Sequence, residues 1–126
     1  MSKHIINTAN APAPIGPYSQ AVKTGALLFV SGQVAINPAT NEFMNANIVE
    51  ETKQVMENIR SILTEAKLDF SNIAKTTIFL SDMGLFAQVN EVYATYFEGD
   101  FPARETVAVK GLPKNANVEI SVIASE

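Results

Sequence analysis

Between Thr52 and Ala66 the apolar positions fall at Val55, Met56, Ile59, Ile62, Leu63 and Ala66, one stripe at a spacing of three and four. That period marks an amphipathic helix with one face on a core. Asn47 stands where an N-cap belongs, with Glu50 three residues later as in a capping box, so the spacing predicts a helix over Ile48–Lys67. A second stripe runs through Leu85, Phe86, Val89, Val92, Tyr93 and Tyr96, with Asp82 as its cap. Its aromatics read as core.

Elsewhere the period is two or absent. Lys3–Asn7 reads as a short strand, and the following stretch holds Pro12, Pro14 and Pro17, which rule out helix. Tyr18–Lys23 and Ala26–Ala35 are β-rich runs around a hairpin turn at Thr24-Gly25, and Asn37–Asn41 is a second turn. Ala74–Leu80, Glu105–Val109 and Asn117–Ala124 supply three more strands, the last after a turn around Gly111-Leu112-Pro113. The order β-β-β-α-β-α-β-β predicts a single α+β domain over residues 1–126, with two helices on one face of a mixed sheet. Along the last strand Val118, Ile120 and Val122 point one way, and Glu119, Ser121 and Ile123 the other. Apolar residues on both faces call for a second cover, which a further copy of the chain supplies most simply.

Composition narrows the chemistry. No apolar run approaches the roughly 18 residues of a membrane span, and no apolar segment follows Met1-Ser2-Lys3-His4, so the expected compartment is the cytoplasm. With no cysteine, disulfides, thiolate nucleophiles and cysteine-based metal sites are excluded. The single histidine, His4, reads as a surface or strand-edge residue, so neither a metal site nor a histidine triad is expected. A net charge of -4 without a Lys/Arg cluster disfavours nucleic acid as the main partner. Catalysis in such a chain must use carboxylates, tyrosine, lysine, hydroxyls and backbone groups, with arginine to bind anions.

Four places hold polar groups that a structural role leaves only half explained. Gly16-Pro17-Tyr18-Ser19-Gln20-Ala21 delivers a tyrosine from a stiff loop. Ser31-Gly32-Gln33 puts a glycine inside a strand, which marks either a simple bulge or a close approach by a ligand. Arg104, between Pro102 and the strand from Glu105, is either an exposed arginine or a planar fork aimed at a carboxylate. Glu119 sits in an apolar strand, and is either solvated or covered and desolvated.

Taken in order, these segments resemble the RidA/YjgF family. The match runs through Gly16-Pro17-Tyr18-Ser19-Gln20-Ala21, Ser31-Gly32-Gln33, Asn90-x-x-Tyr93-x-x-Tyr96-Phe97, Pro102-Ala103-Arg104, Leu112-Pro113 and Val118-Glu119-Ile120-x-x-Ile123-Ala124. The resemblance implies a chorismate-mutase-like fold with a six-stranded sheet, assembled as a homotrimer with active sites between subunits. It implies hydrolysis of 2-aminoacrylate, 2-iminopropanoate or 2-iminobutanoate to pyruvate or 2-oxobutanoate and ammonia, with no cofactor. By motif, Arg104 would bind the substrate carboxylate, Tyr18, Ser31, Gly32 and Asn90 would shape the pocket, and Glu119 would position or activate water. Many members carry cysteine where this chain has Thr106, whose backbone amide preserves any contact to the carboxylate. Ligand-sensing regulators and proteins described as endoribonucleases or translation inhibitors are the competing readings within the same family.

Overall fold

The computed structural model describes residues 2–126. A first run of strands, β1 (Lys3–Ile6), β2 (Ala21–Thr24) and β3 (Leu27–Gln33), forms an antiparallel meander. The β2–β3 turn pairs Thr24 with Leu27 and needs a left-handed residue between them, which Gly25 provides at φ 58°. Helix α1 (Ile48–Glu65) leads to β4 (Ile73–Leu80), α2 (Phe86–Ala94) to β5 (Ala103–Ala108), and β6 (Val118–Ser125) closes the chain. Sheet order is β1-β2-β3-β6-β4-β5, all antiparallel except the β4–β5 pair. The last strand is thus central, and β5 is an edge.

The helical stripe packs as its period predicts. Thr52, Val55, Met56, Ile59, Ile62 and Leu63 of α1 are buried, against Leu28, Val30, Ile78, Leu80, Ile120 and Val122 of the sheet. Each such aliphatic side chain contributes about 1.5–3 kcal/mol on burial. From α2, Val89, Val92 and Tyr93 are buried, and Phe86 of the helix, with Leu85 before it and Tyr96 after it, is half-buried against the same core.

The other face of the sheet has no cover. Ile5, Val22, Phe29 and Ile123 are paired in one cross-strand row from β1 through β2 and β3 to β6, and Phe29 remains 41% exposed. Leu27 and Val107 are exposed on this face too. A contiguous apolar patch of this kind marks an interaction surface.

Several boundaries differ from the sequence reading. Asn47 caps α1 by accepting from the Glu50 N–H at 2.9 Å, but only half of the capping box forms, since the Glu50 side chain turns toward Lys53. The helix stops at Glu65 rather than Lys67: Lys67 turns left-handed (φ 63°), and its N–H and that of Leu68 return to Thr64 and Leu63 in a Schellman closure. Asp82 caps a single 3₁₀ turn, Met83–Leu85, ahead of α2. Tyr18, Ser19 and Gln20 lie in the loop before β2, and Arg104 lies inside β5 rather than before it. His4 is exposed on the edge strand β1.

Candidate functional site

Glu119 is the second residue of β6 and alternates with Val118 and Ile120, both buried on the helix side, so its carboxyl stands on the uncovered face. Its neighbour across β3 is a bulge. Register shifts between Val30 and Gln33, and Ser31 and Gly32 occupy the irregularity. A Cβ on Gly32 would lie 2.8 Å from Glu119 Cδ and closer still to Oε2, so glycine leaves the space that the carboxyl fills. Burial pushes this carboxyl above the usual carboxylate range, and desolvation is the sole cause.

The proline-rich loop closes over this point because Gln20 organises it. The buried Gln20 amide accepts from the Thr8 N–H at 2.7 Å and donates to the Thr8, Ala11 and Pro12 carbonyls. Ser31 adds a second tie, donating its hydroxyl to the Ser19 carbonyl at 2.6 Å. Pro12, Ile15, Tyr18, Gly32, Lys114 and Glu119 then line a cleft of about 80 Å³. Lys114 enters from a turn in which it and Asn115 are both left-handed (φ 59° and 54°), a conformation that costs each non-glycine residue about 1–2 kcal/mol.

Arg104 lies elsewhere. Its register partner Thr76 is fully buried on the helix side, so Arg104 projects toward α2. The guanidinium carbon lies 5.2 Å from the Tyr93 ring centre and 5.7 Å from that of Phe86, a cation–π platform. The Tyr93 hydroxyl donates to Thr76 at 2.9 Å. Burial pushes the Tyr93 phenol up, against opposing contributions from Thr76 and the Arg104 charge. The ion pairs among the described residues do not include Arg104, so its fork is free for an external anion. Asn90, Tyr93, Phe101, Pro102 and Arg104 line an open recess of about 470 Å³.

The predicted site residues therefore fall into two groups on opposite faces of one sheet. Tyr18, Gly32 and Glu119 share the cleft, with Ser31 bracing it from behind, and Asn90 and Arg104 share the recess. Thr106 follows Arg104 on the same face of β5, and its hydroxyl is buried without a hydrogen-bond partner. Strand β4 separates the two groups, so two strand spacings, roughly 10 Å, and the sheet itself keep them apart within one chain. Phe86 and Tyr93 were read as core alone; their i, i+7 spacing on the α2 face that meets β5 was the available sign of the arginine platform. Lys114 and Gln20 were likewise not read as site residues.

Gly32→Ala tests the contact on the glycine side. Gly32 is not left-handed, so its backbone tolerates alanine, and the nearest atoms the new methyl meets are those of the Glu119 side chain. The expected result is a carboxyl driven toward solvent, titrating closer to the ordinary glutamate value in carbon-detected NMR. An unchanged Glu119 titration would show that the side chain does not depend on this space.

Comparison with known proteins bears on the chain as a whole. The family model described as Endoribonuclease L-PSP matches residues 8–126. The 2-iminobutanoate/2-iminopropanoate deaminase of Mus musculus is 46% identical over 122 residues, 97% of this chain and 90% of its own. A solved Rid-family protein of unknown function from Yersinia pestis superposes with a TM-score of 0.97 at 48% identity, covering 99% of this chain and 100% of that one. TdcF of E. coli, solved with bound serine, superposes with a TM-score of 0.94 at 38% identity, with 98% of each chain covered. With its sequence matched nearly end to end and its fold shared throughout, the chain belongs to the RidA/YjgF family.

Proposed function

We propose that the protein is an enamine/imine deaminase that hydrolyses 2-iminopropanoate and 2-iminobutanoate, and their enamine tautomers, to the 2-oxo acid and ammonia. The observation that carries this reading is the desolvated, unpaired Glu119 carboxyl in a cleft sized for a small acid. The name of the mouse relative supports it. An imine carbon is already electrophilic, so the protein must supply orientation, a positioned water and a proton for the leaving ammonia. Glu119 with a raised pKa is a stronger base than an ordinary glutamate, suited to take a proton from water as its oxygen adds to the imine carbon. That proton passes to nitrogen to give the carbinolamine. The carbinolamine hydroxyl then yields its own proton to nitrogen by way of the same carboxylate, the C–N bond breaks, and R–C(=NH)–COO⁻ plus H₂O becomes R–CO–COO⁻ plus NH₃.

The substrate carboxylate needs a cation, and the Arg104 fork is the one poised for it. Because Arg104 and Glu119 occupy opposite faces of their own sheet, the working site takes one group from each of two copies. We assign the uncovered apolar row to that assembly, a homotrimer in which the Glu119 cleft of one subunit meets the Arg104 recess of the next. Tyr18 and Gly32 wall the cleft, Asn90 borders the carboxylate, and the Thr106 backbone amide faces the same group. A ribonuclease reading, which the family model's description invites, finds no histidine at either group, since His4 lies exposed on β1.

The deciding experiment generates 2-iminobutanoate in situ with a pyridoxal-phosphate-dependent dehydratase and follows 2-oxobutanoate. Faster product formation with the protein present is expected, and an unchanged rate at micromolar protein would remove the deaminase reading.

A further inference from the structure

Glu51 is fully buried, yet its carboxylate pairs with no cation among the described residues. It sits in the first turn of α1, where the helix field favours negative charge. Both of its oxygens are used: Oε2 accepts the Asn117 backbone N–H at 2.7 Å, and Oε1 accepts the Asn117 side-chain amide at 3.0 Å. A buried carboxylate is costly unless it is fully hydrogen-bonded, and these two donors come from a single residue.

Asn117 is held from its other side too. Its backbone carbonyl accepts the Ser81 N–H at 3.0 Å, and its side-chain oxygen accepts the Ser81 hydroxyl at 2.9 Å. Every polar group of Asn117 is thereby tied to α1 or to the residue after β4. This pin stands between the left-handed turn that carries Lys114 and the second residue of β6, Glu119. Strand ends fray first, and nothing on the Glu119 carboxyl itself holds it by hydrogen bond.

We propose that Glu51 is a positioning residue for Glu119, acting through Asn117 to fix the start of β6 against the Gly32 bulge. The proposal rests on the catalytic reading of Glu119 for its consequence, but its geometry can be tested without turnover. The titratable groups that share the Glu119 cleft are Tyr18 and Lys114, and Lys114 is carried on the same pinned segment.

Glu51→Met keeps length and bulk and removes both acceptors; Glu51→Gln keeps one oxygen for the Asn117 N–H. With Glu51→Met, kcat for 2-iminobutanoate should fall about tenfold or more, as misplacement of a reacting group does, with little change in KM. The acid limb of its pH–rate profile should move with the Glu119 titration, and Glu51→Gln should recover most of the loss. The Glu119 titration is read independently by NMR in each variant. If the wild type proves inactive on imines, a displaced titration in Glu51→Met still supports the pin while the functional reading falls. If Glu51→Met loses stability but leaves both kcat and the Glu119 titration as in the wild type, Glu51 is structural only and the proposal is overturned. Should Glu51→Met not fold, Asn117→Ala removes the side-chain half of the pin and must displace the same titration, or the proposal fails.

Discussion

Glu119→Gln should lower turnover of 2-iminobutanoate by about 10²–10⁴-fold, the usual contribution of a general base, while the fold and assembly persist. Glutamine fills the same space beside Gly32 and cannot take a proton from water. Binding of the product 2-oxobutanoate, read by calorimetry, should fall far less, because the substitution leaves the proposed Arg104 clamp untouched. The stability change has the opposite sign. The folded-state pKa of Glu119 lies above the usual value of 4.5, so its protonated form is the better tolerated one. Its favourable contribution is full below 4.5 and is lost as pH rises through the raised folded pKa. At neutral pH the glutamine variant should thus be at least as stable as the wild type, with the difference narrowing as pH falls through the raised folded pKa and constant below 4.5. Wild-type turnover in Glu119→Gln would remove Glu119 from the mechanism. A wild type that binds 2-oxobutanoate yet never accelerates imine hydrolysis would make the protein a ligand sensor.

Arg104→Lys should remove nearly all activity although the charge is kept. Lysine offers a point charge where two parallel donors are needed, and it has no planar face to lie on Tyr93 and Phe86. A charge-assisted hydrogen bond contributes about 1.5–3 kcal/mol, so losing one and misplacing the other predicts at least a tenfold fall in kcat/KM. The same variant decides whether the site is shared. Co-refolded in equal amounts with Glu119→Gln, it leaves each interface intact only when the arginine comes from one chain type and the glutamate from the other. About one site in four meets both conditions in a cyclic assembly, so roughly a quarter of wild-type activity should return. No recovery from two correctly assembled but inactive parents would show that Arg104 and Glu119 never meet.

The order and kind of the main elements were legible because they follow from local periodicity. Thr52 to Leu63 recur at helical spacing whatever they pack against, and Val118 to Ile123 alternate in any sheet. Strand ends were less so: Tyr18 to Gln20 have strand-like composition, but the Gln20 side chain binds the carbonyls of the preceding loop and keeps the segment out of β2. Sheet order depends on partners far away in sequence, and no local pattern states that β6 inserts between β3 and β4. Register across β4 then puts Arg104 and Glu119 on opposite faces, since they pair with Thr76 and Phe79, three residues apart on that strand. The carboxylate of Glu119 stood out by its apolar strand, and the arginine by its stiff loop. The Tyr93 and Phe86 platform did not, because an aromatic on a core stripe looks the same whether or not a cation rests on it.

The bare row of Ile5, Val22, Phe29 and Ile123 has a kinetic consequence. Where sites exist only between copies, total protein sets both their number and whether they form. On dilution below the dissociation constant of the assembly, initial rate should depend on protein concentration with an apparent order above one. A charged residue at Phe29, distant in sequence from both reacting groups, should move that crossover to higher concentration and leave the rate per assembled site untouched.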